Sequence, residues 1–410
     1  MMIYLKNKKA IIVFCFSFFF LLLSCIEPYN INSTENFKEL LVVEGRVTNR
    51  LGYQKLSLTT TYPLEGIKVP PSVKNANVVV YEDSNLMYEY EEESPGKYKS
   101  KVEFKAQENK TYQLKITLQS GKEYVSDILK LPEGPNQDFN ITIKKTENSA
   151  GNQGVLFEYE KNTNNTIDIP TFYRFNLNAT YEIAAPFWTA FKFKLFPDTK
   201  TIDVVPRGNK KGSICYIEEN NSKSFLFNSR NFSGNLLGPF EVVFLDKEDK
   251  KIGRRYSVEL EQYVLSKEAF SFYRKLKEFS ESESVFSENQ PGNIVGNVRS
   301  SENPNDVALG FFEVSKVISK RVFFSYKEFF TLNGAPPYVE ACFTSAPHLE
   351  ASHNPIGLSL YEMIEKGMVE FWGDTGVPPI PNRPYKVASK ICADCTLVPG
   401  SKEKPDYWID

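Results

Sequence analysis

Between residues 40 and 131 the chain alternates apolar and polar positions in short runs. Such alternation predicts strands, because successive side chains of a strand point to opposite faces of a sheet. Turn-forming triplets at 94–96 and 120–122 separate some of the runs. Short strands with turn signals about every ten residues are typical of an antiparallel β-sandwich. The predicted strands are 40–48, 54–61, 77–82, 98–104, 111–118 and 123–131.

The pattern continues after a polar stretch at 144–166, which predicts one strand and a loop. Aromatic and polar residues alternate in the next runs, which also favours strands. No constant period recurs along the chain, which argues against a solenoid or a propeller. The predicted strands of this second region are 172–183, 191–195, 240–245, 256–265, 294–298, 308–314 and 321–324.

Helical periodicity is clearest at 266–280. Ser266 is placed to cap the first free N–H groups, and the positions Ala269, Phe272, Leu276 and Phe279 predict one apolar face. We therefore predict a helix that packs along this face.

A second, short helix is predicted at 359–366. Ser359 and Glu362 have the spacing of a capping box, and Gly367 can end the helix. Together these patterns predict an all-β (mainly β) protein with one or two helices. The first sandwich spans 37–134, and a larger β-rich domain containing the helix at 266–280 spans 135–410.

The N-terminus carries a targeting signal. Three lysines precede an apolar run at 10–23, which is shorter than the roughly 20 residues that span a membrane. The run ends in Leu22-Leu23-Ser24-Cys25, which has the form of a bacterial lipobox. We expect cleavage of residues 1–24, lipidation of Cys25 and a tether at 25–36. The alternative is a plain secretion signal that an ordinary cysteine follows.

Charge argues against a nucleic-acid partner. Removing residues 1–24 removes three lysines and no acids, which leaves a net charge of −5 with His neutral. Binding to nucleic acid needs a basic surface. No cofactor is predicted either, since phosphate-cradling, EF-hand and hydrolase motifs are absent. A hydrolase using two acids that meet in space is the enzymatic alternative.

Four cysteines follow the lipobox: Cys215, Cys342, Cys392 and Cys395. Export would place them in an oxidising compartment, where cysteines usually pair. Four cysteines allow three connectivities, and the sequence does not select one. The Cys392-x-x-Cys395 spacing also fits a zinc site that Cys342, His348 or His353 would complete, or a redox pair. We favour disulfides, and ordinary loop histidines in place of metal ligands.

Two aromatic segments are candidate binding surfaces. Residues 185–197 contain Trp188, and residues 370–385 set Trp372 before a proline-rich loop with Pro379 and Tyr385. Exposed aromatic rings contact protein partners and stack on sugars. The competing explanation is that most of these rings fill the core of a sandwich.

Several separated blocks resemble the domain-of-unknown-function 4249 family of bacterial envelope lipoproteins. The blocks occur in the family's order and cover nearly the whole mature chain. They are 25–29 (CIEPY), 256–278 (YSVELEQYVLSKEAFSFYRKLKE), 285–286, 291–298 (PGNIVGNV), 309–312 (LGFF), 392–395 (CADC) and 404–408 (KPDYW).

The resemblance implies an Ig-like or carboxypeptidase-regulatory-like sandwich followed by a second β-rich domain. It also implies an accessory role beside a TonB-dependent outer-membrane receptor, and it carries over no site residues. Two positions depart from the family. Tyr216 follows Cys215 where many relatives have Trp, and the tail after Cys395 lacks the family's basic residue and paired glycines.

From these observations we expect a non-enzymatic binding or accessory protein, anchored by lipid in the outer membrane on its periplasmic or cell-surface face. The alternative is a glycan-binding surface protein.

Overall fold

A computed structural model describes residues 39–62, 69–134, 138–161, 171–232, 237–281, 294, 296–303, 306–331, 334–339 and 342–409. The predicted signal peptide, Cys25 and the tether lie outside these residues. The predicted mainly β class is confirmed, because strands dominate the described chain. No helix among the described residues is long and apolar enough to cross a membrane.

The described residues form 22 strands and three α-helices. In chain order the first nine strands are β1 (Leu41–Thr48), β2 (Lys55–Thr60), β3 (Asn77–Glu82), β4 (Leu86–Ser94), β5 (Lys97–Ser100), β6 (Thr111–Thr117), β7 (Glu123–Ser126), β8 (Leu129–Lys130) and β9 (Phe139–Glu147). The next are β10 (Gln153–Lys161), β11 (Phe172–Ala184), β12 (Phe191–Phe196), β13 (Thr201–Pro206), β14 (Ile214–Asn228), β15 (Phe240–Asp246) and β16 (Arg255–Leu265). The remaining elements are α1 (Lys267–Glu281), β17 (Val298–Ser300), β18 (Leu309–Ser325), β19 (Thr344–Ser345), α2 (Leu360–Glu365), β20 (Val369–Asp374), β21 (Tyr385–Ser389), α3 (Lys390–Ala393) and β22 (Ser401–Lys402).

The N-terminal strands fold around their own core. Strands β7, β6, β3, β4, β5, β2 and β1 are hydrogen-bonded in that order, and β8 pairs with β6. Alternate residues are buried in β6 and β7, because one face of each strand meets the core and the other meets solvent. The N-terminal core includes Val43, Leu58, Tyr112, Leu114 and Ile116.

Two segments from far along the chain complete this N-terminal sandwich. Strand β17 pairs with β7, and the first half of β18 pairs with β1 in parallel orientation. Phe312 of β18 is fully buried in the same core. Gly310 adopts a φ of 85° against the backbone of Val43, where a Cβ would collide. The sequence-based range 37–134 does not include these segments, since long-range pairing leaves no local signal.

The second half of β18 belongs to a second sandwich. Strands β18, β16, β11, β14 and β22 form one layer, and β15, β10 and β9 form the other. Between the layers lie fully buried aromatic rings that contact one another, including Phe157, Tyr159 and Phe175. Strand β18 therefore runs through both sandwiches and joins them through a single continuous element.

Helix α1 packs across this junction. Ser266 caps it as predicted, since its Oγ accepts a hydrogen bond from the N–H of Ala269 at 3.1 Å. Ala269 and Phe272 are buried as predicted. The rest of the predicted apolar face is not covered, because Leu276 and Phe279 are 44% and 56% exposed.

A small C-terminal subdomain contains the remaining elements. The hairpin β12–β13 and helix α2 pack on the three-stranded sheet β19-β21-β20. Their shared core contains Phe193, Leu360, Phe371 and Val387. The predicted capping box of α2 is present, with Ser359 and Glu362 bonded reciprocally. We refer to this part as the C-terminal subdomain.

Candidate ligand-binding cavity

A cavity of about 970 Å³ lies where the two sandwiches meet. Its walls come from β1, the loop after β1, β11, β16, the start of β18 and helix α1. This volume falls at the upper end of the range of small-molecule sites in proteins. The two sandwiches therefore form, beside their shared strand, a partly open cavity large enough for a small organic molecule.

One side of the cavity is apolar. Phe272 and Leu276 of α1 line this side together with Leu309 and Phe311 of β18, and Val42 of β1 adds to this wall. The rings of Phe272 and Phe311 are in contact, with centroids 5.1 Å apart. Leu276, which the core leaves partly exposed, thus contributes to the cavity. An apolar wall of this kind suits the hydrocarbon portion of a ligand.

The polar side is built on a buried ion network. Arg174 of β11 binds Glu313 of β18 through both terminal nitrogens, at 2.9 and 3.1 Å. Arg46 of β1 places its Nε 3.2 Å from the same carboxylate. The carboxylate also accepts hydrogen bonds from Ser315 Oγ, at 2.7 Å, and from Tyr273. Two arginines from different sandwiches thus converge on one acid.

Aromatic rings enclose the two guanidinium groups. Arg174 lies over Tyr263 and Tyr273, with its Cζ 4.8 and 4.3 Å from the ring centroids. Arg46 lies over Tyr263 at 4.3 Å. Cations over aromatic faces are stabilised by the ring quadrupole, most strongly when they are desolvated. The Nε of Arg174 is buried without a hydrogen-bond partner among the described residues, and the Nε of Arg46 has the ion-pair contact with Glu313 but no well-aligned hydrogen bond.

These surroundings change the ionisation of the groups. Burial alone would raise the pKa of Glu313, but Arg174 and Arg46 outweigh it and hold that pKa below its usual value. Burial raises the pKa of Tyr263 and Tyr273 to about 12 each. The network at neutral pH therefore has two cationic arginines, one carboxylate and neutral phenols, with a net charge of +1.

The rim of the cavity is also cationic. Arg50 donates to Glu261 at 3.3 Å and to Ser319 Oγ at 2.8 Å. Among the described lining residues, four are cationic and two are acidic. The cationic residues are Arg46, Arg50, Lys55 and Arg174, and the acidic residues are Glu44 and Glu261. The cavity therefore combines an apolar wall with a positively charged side.

The two predicted aromatic surfaces lie elsewhere, next to each other. Trp188 is half-buried against the core of the second sandwich, and its Nε1 donates to the carbonyl of Lys211 at 3.2 Å. Trp372 is in β20 and packs on Phe187, with ring centroids 5.1 Å apart. Both indole rings are thus half-buried against neighbouring side chains.

The proline-rich loop connects β20 to β21. Pro379 is exposed in this loop, whereas Tyr385 begins β21 and is half-buried. The ring of Tyr385 packs edge-on against Phe193 at 5.4 Å and against Phe371 at 6.0 Å. Of the four predicted binding residues, only Pro379 is fully on the surface.

All four cysteines after the lipobox form disulfides, as we favoured. The pairs are Cys215–Cys395 and Cys342–Cys392. Cys392 and Cys395 therefore do not bond to each other, and neither is free for a zinc or redox site. The first bond joins β14 to the turn before β22, and the second joins the C-terminal subdomain to the segment after β18.

The residues of the ion network were not identified from the sequence. A signal exists, because Glu313 interrupts an apolar run in Phe311-Phe312-Glu313-Val314, and Arg174 interrupts aromatic residues in Tyr173-Arg174-Phe175. A charged residue at a buried position of a strand needs an opposite charge. The partner could not be inferred, since the two residues are 139 positions apart.

The fold and the cavity together define the class of protein. It is a mainly β protein in which two sandwiches share one strand and line a cavity between them. The chain belongs to the family described as "Domain of unknown function (DUF4249)", whose profile matches residues 26–321. The family expected from the sequence is thereby confirmed. Both arginines and the acid of the ion network lie within the matched residues.

No curated protein matches the chain. A solved structure titled "Biofilm associated protein - BSP domain" shows 10% identity and a TM-score of 0.15. The match covers 70% of this chain and 60% of the length of that structure.

Proposed function

We propose that this protein is a non-enzymatic binding or accessory protein of a Gram-negative envelope, anchored in the outer membrane by lipid on Cys25. The observation that carries the binding role is the cavity between the sandwiches. Large concave sites with apolar walls and a few convergent polar groups are the usual form of small-molecule sites. The anchor rests on the lipobox, and two acyl chains exceed the marginal membrane affinity of one.

The chemistry of the cavity favours an amphipathic ligand with an anionic group. The apolar wall at Leu276 and Phe311 would cover its hydrocarbon part. Arg46 would bind its acidic group, because its guanidinium makes one contact with Glu313 whereas Arg174 makes two. Arginine binds carboxylates and phosphates with charge-assisted hydrogen bonds.

A partner is part of the proposal. We propose that the protein delivers or holds its ligand beside a TonB-dependent receptor, a role that rests on the resemblance to the family. The ion pairing of Glu313 supports binding without turnover. Its carboxylate is paired with Arg174 and Arg46 and is therefore a poor general base. Glycan binding is not proposed, because Trp188 and Trp372 are half-buried and pack on neighbouring side chains instead of presenting open aromatic faces.

One preparation tests both parts of this proposal. We expect the lipidated protein, purified in mild detergent from its own envelope, to carry a receptor and one small anionic molecule per chain, which mass spectrometry would detect after denaturation. The variant Arg46→Gln should lose the small molecule and keep the receptor.

The matched control is Arg299→Gln, which removes an exposed arginine paired with Asp127 outside the cavity. It should lose neither component. Recovery of the protein with no small molecule and no receptor would contradict the proposed function. Recovery of the receptor alone would contradict only the ligand-binding role of the cavity.

A further inference from the structure

We propose that His348, Glu350 and His353 form a binding site for a divalent transition-metal ion, with Zn²⁺ as the probe. The site belongs to the C-terminal subdomain, and none of its residues lines the cavity between the sandwiches. The inference therefore stands independently of the proposed function.

The first observation is that the histidines converge. The chain contains two histidines in 410 residues, and both lie in this one loop. Their rings stack with centroids 4.3 Å apart and an interplanar angle of 27°. Glu350 lies beside them, with an Oε2 3.6 Å from Nδ1 of His353. One possible ligand atom from each of the three residues lies within 4.8 Å of the others.

The second observation is that the loop is held in shape. The side chain of Asn354 is buried, and its Oδ1 accepts from the N–H of His348 at 2.8 Å. Its Nδ2 donates to the carbonyls of His348, Glu350 and Leu358, at 2.7, 3.2 and 2.9 Å. A 3₁₀ turn at Ala351–His353 then carries the second ring over the first. The two imidazoles are thus brought together by the backbone before any ion binds.

The donor set determines the class of ion. Two imidazoles and one carboxylate suit zinc, copper or nickel, whereas calcium and magnesium prefer oxygen ligands. Thiolates of the neighbouring cysteines do not compete, because Cys342 and Cys392 are bonded to each other. Three protein ligands leave at least one coordination position for water or for a group from a partner.

Binding exchanges hydrogen bonds for metal bonds. Nδ1 of His348 accepts from the N–H of Glu350 at 3.1 Å, and Nδ1 of His353 lies 3.0 Å from Ser352 Oγ. A metal at Nδ1 of His348 replaces the first of these bonds, and a metal at Nε2 requires the ring proton to move to Nδ1. The loop around His348 should therefore change on binding, while the Asn354 contacts persist.

Calorimetry with Zn²⁺ tests the site on the mature protein without a polyhistidine tag. We expect one ion per chain, with affinity lowered at least tenfold in His348→Ala and in His353→Ala. With Cu²⁺, electron paramagnetic resonance should show coupling to imidazole nitrogen. Because the chain has two histidines, this coupling identifies the site directly.

Glu350→Gln should also weaken binding, whereas the matched control Glu403→Gln, at an exposed acid elsewhere, should not. Since all three ligands are on a surface loop, thermal unfolding without metal should be the same in every variant. Equal Zn²⁺ affinity in the native protein and in the double variant His348→Ala/His353→Ala would overturn the proposal. Absence of nitrogen coupling with Cu²⁺ would overturn it as well.

Discussion

Replacing Glu313 with Gln should lower the free energy of unfolding by about 3–5 kcal/mol, the usual cost of breaking a buried ion pair from one side. The substitution keeps the volume of the side chain but leaves the buried Arg174 and the half-buried Arg46 without their shared counter-charge. Urea unfolding, followed by fluorescence, measures the change as a lower midpoint. Because β18 joins both sandwiches, their unfolding transitions should move together.

The control is Glu91→Gln, which removes an exposed acid paired with Lys99. Exposed pairs contribute little, so its unfolding free energy should stay within about 0.5 kcal/mol of the native value. A loss below about 1 kcal/mol in Glu313→Gln would mean that the buried network does not hold the sandwiches together.

The contribution of Glu313 to the free energy of unfolding should depend on pH. The arginines hold the pKa of folded Glu313 below 4.5, its value without the protein, although burial alone would raise it. Its stabilisation is therefore present above pH 4.5 and lost as the pH falls through the folded pKa. The difference in stability between the native protein and Glu313→Gln should narrow in that range, and urea midpoints measured across pH test this.

The double variant Cys215→Ser/Cys395→Ser should lose about 5 kcal/mol of stability on the chain-entropy model. The bond closes a loop of 180 residues, whereas Cys342–Cys392 closes one of 50. The double variant Cys342→Ser/Cys392→Ser, which opens the shorter loop, should lose about 4 kcal/mol on the same model. Unfolding of the two oxidised variants in urea measures both.

Loss of the Cys215–Cys395 disulfide should also have a local effect near the C-terminus. Trp408 follows β22 and is buried against Phe323 and Tyr216, the residue after Cys215 of the longer-loop disulfide. Without the bond, the C-terminal residues are held only by non-covalent contacts, which include the pairing of β22 with β14. The emission of Trp408 should therefore shift to the red. The reverse order of stability losses would contradict the entropic explanation.

Much of the strand pattern could be predicted from the sequence. Strand β3 has the predicted bounds of 77–82, and β6, β11 and β16 lie within two residues of theirs. Strand β6 alternates cleanly, because one face is buried and the other is not, whereas β11 and β16 are buried on both faces along most of their length. Strand β18 was predicted as two strands, since the polar stretch at its middle reads as a break. In the structure that stretch is the crossing point between two sandwiches.

Other features leave weaker local signals. Strand β14 is rich in Asn, Glu and Ser, and neither it nor β4 was predicted. The parallel pairing of β1 with β18 joins residues more than 260 positions apart, which no local pattern encodes. The cavity could not be predicted for the same reason, because Arg46, Arg174 and Glu313 come from three separate strands. The short helix α2 was predictable, since its capping box is a local motif.

The central claim is that the cavity between the sandwiches binds an amphipathic anion. Calorimetric titration of the protein with decanoate and with decanol, its neutral counterpart, tests this most directly. The account predicts one decanoate per chain and an affinity about ten times higher than for decanol, from the charge-assisted bond to Arg46. Arg46→Gln should remove that difference and Arg299→Gln should keep it. Equal binding of the two probes by the native protein, or no saturable binding of decanoate, would contradict the account.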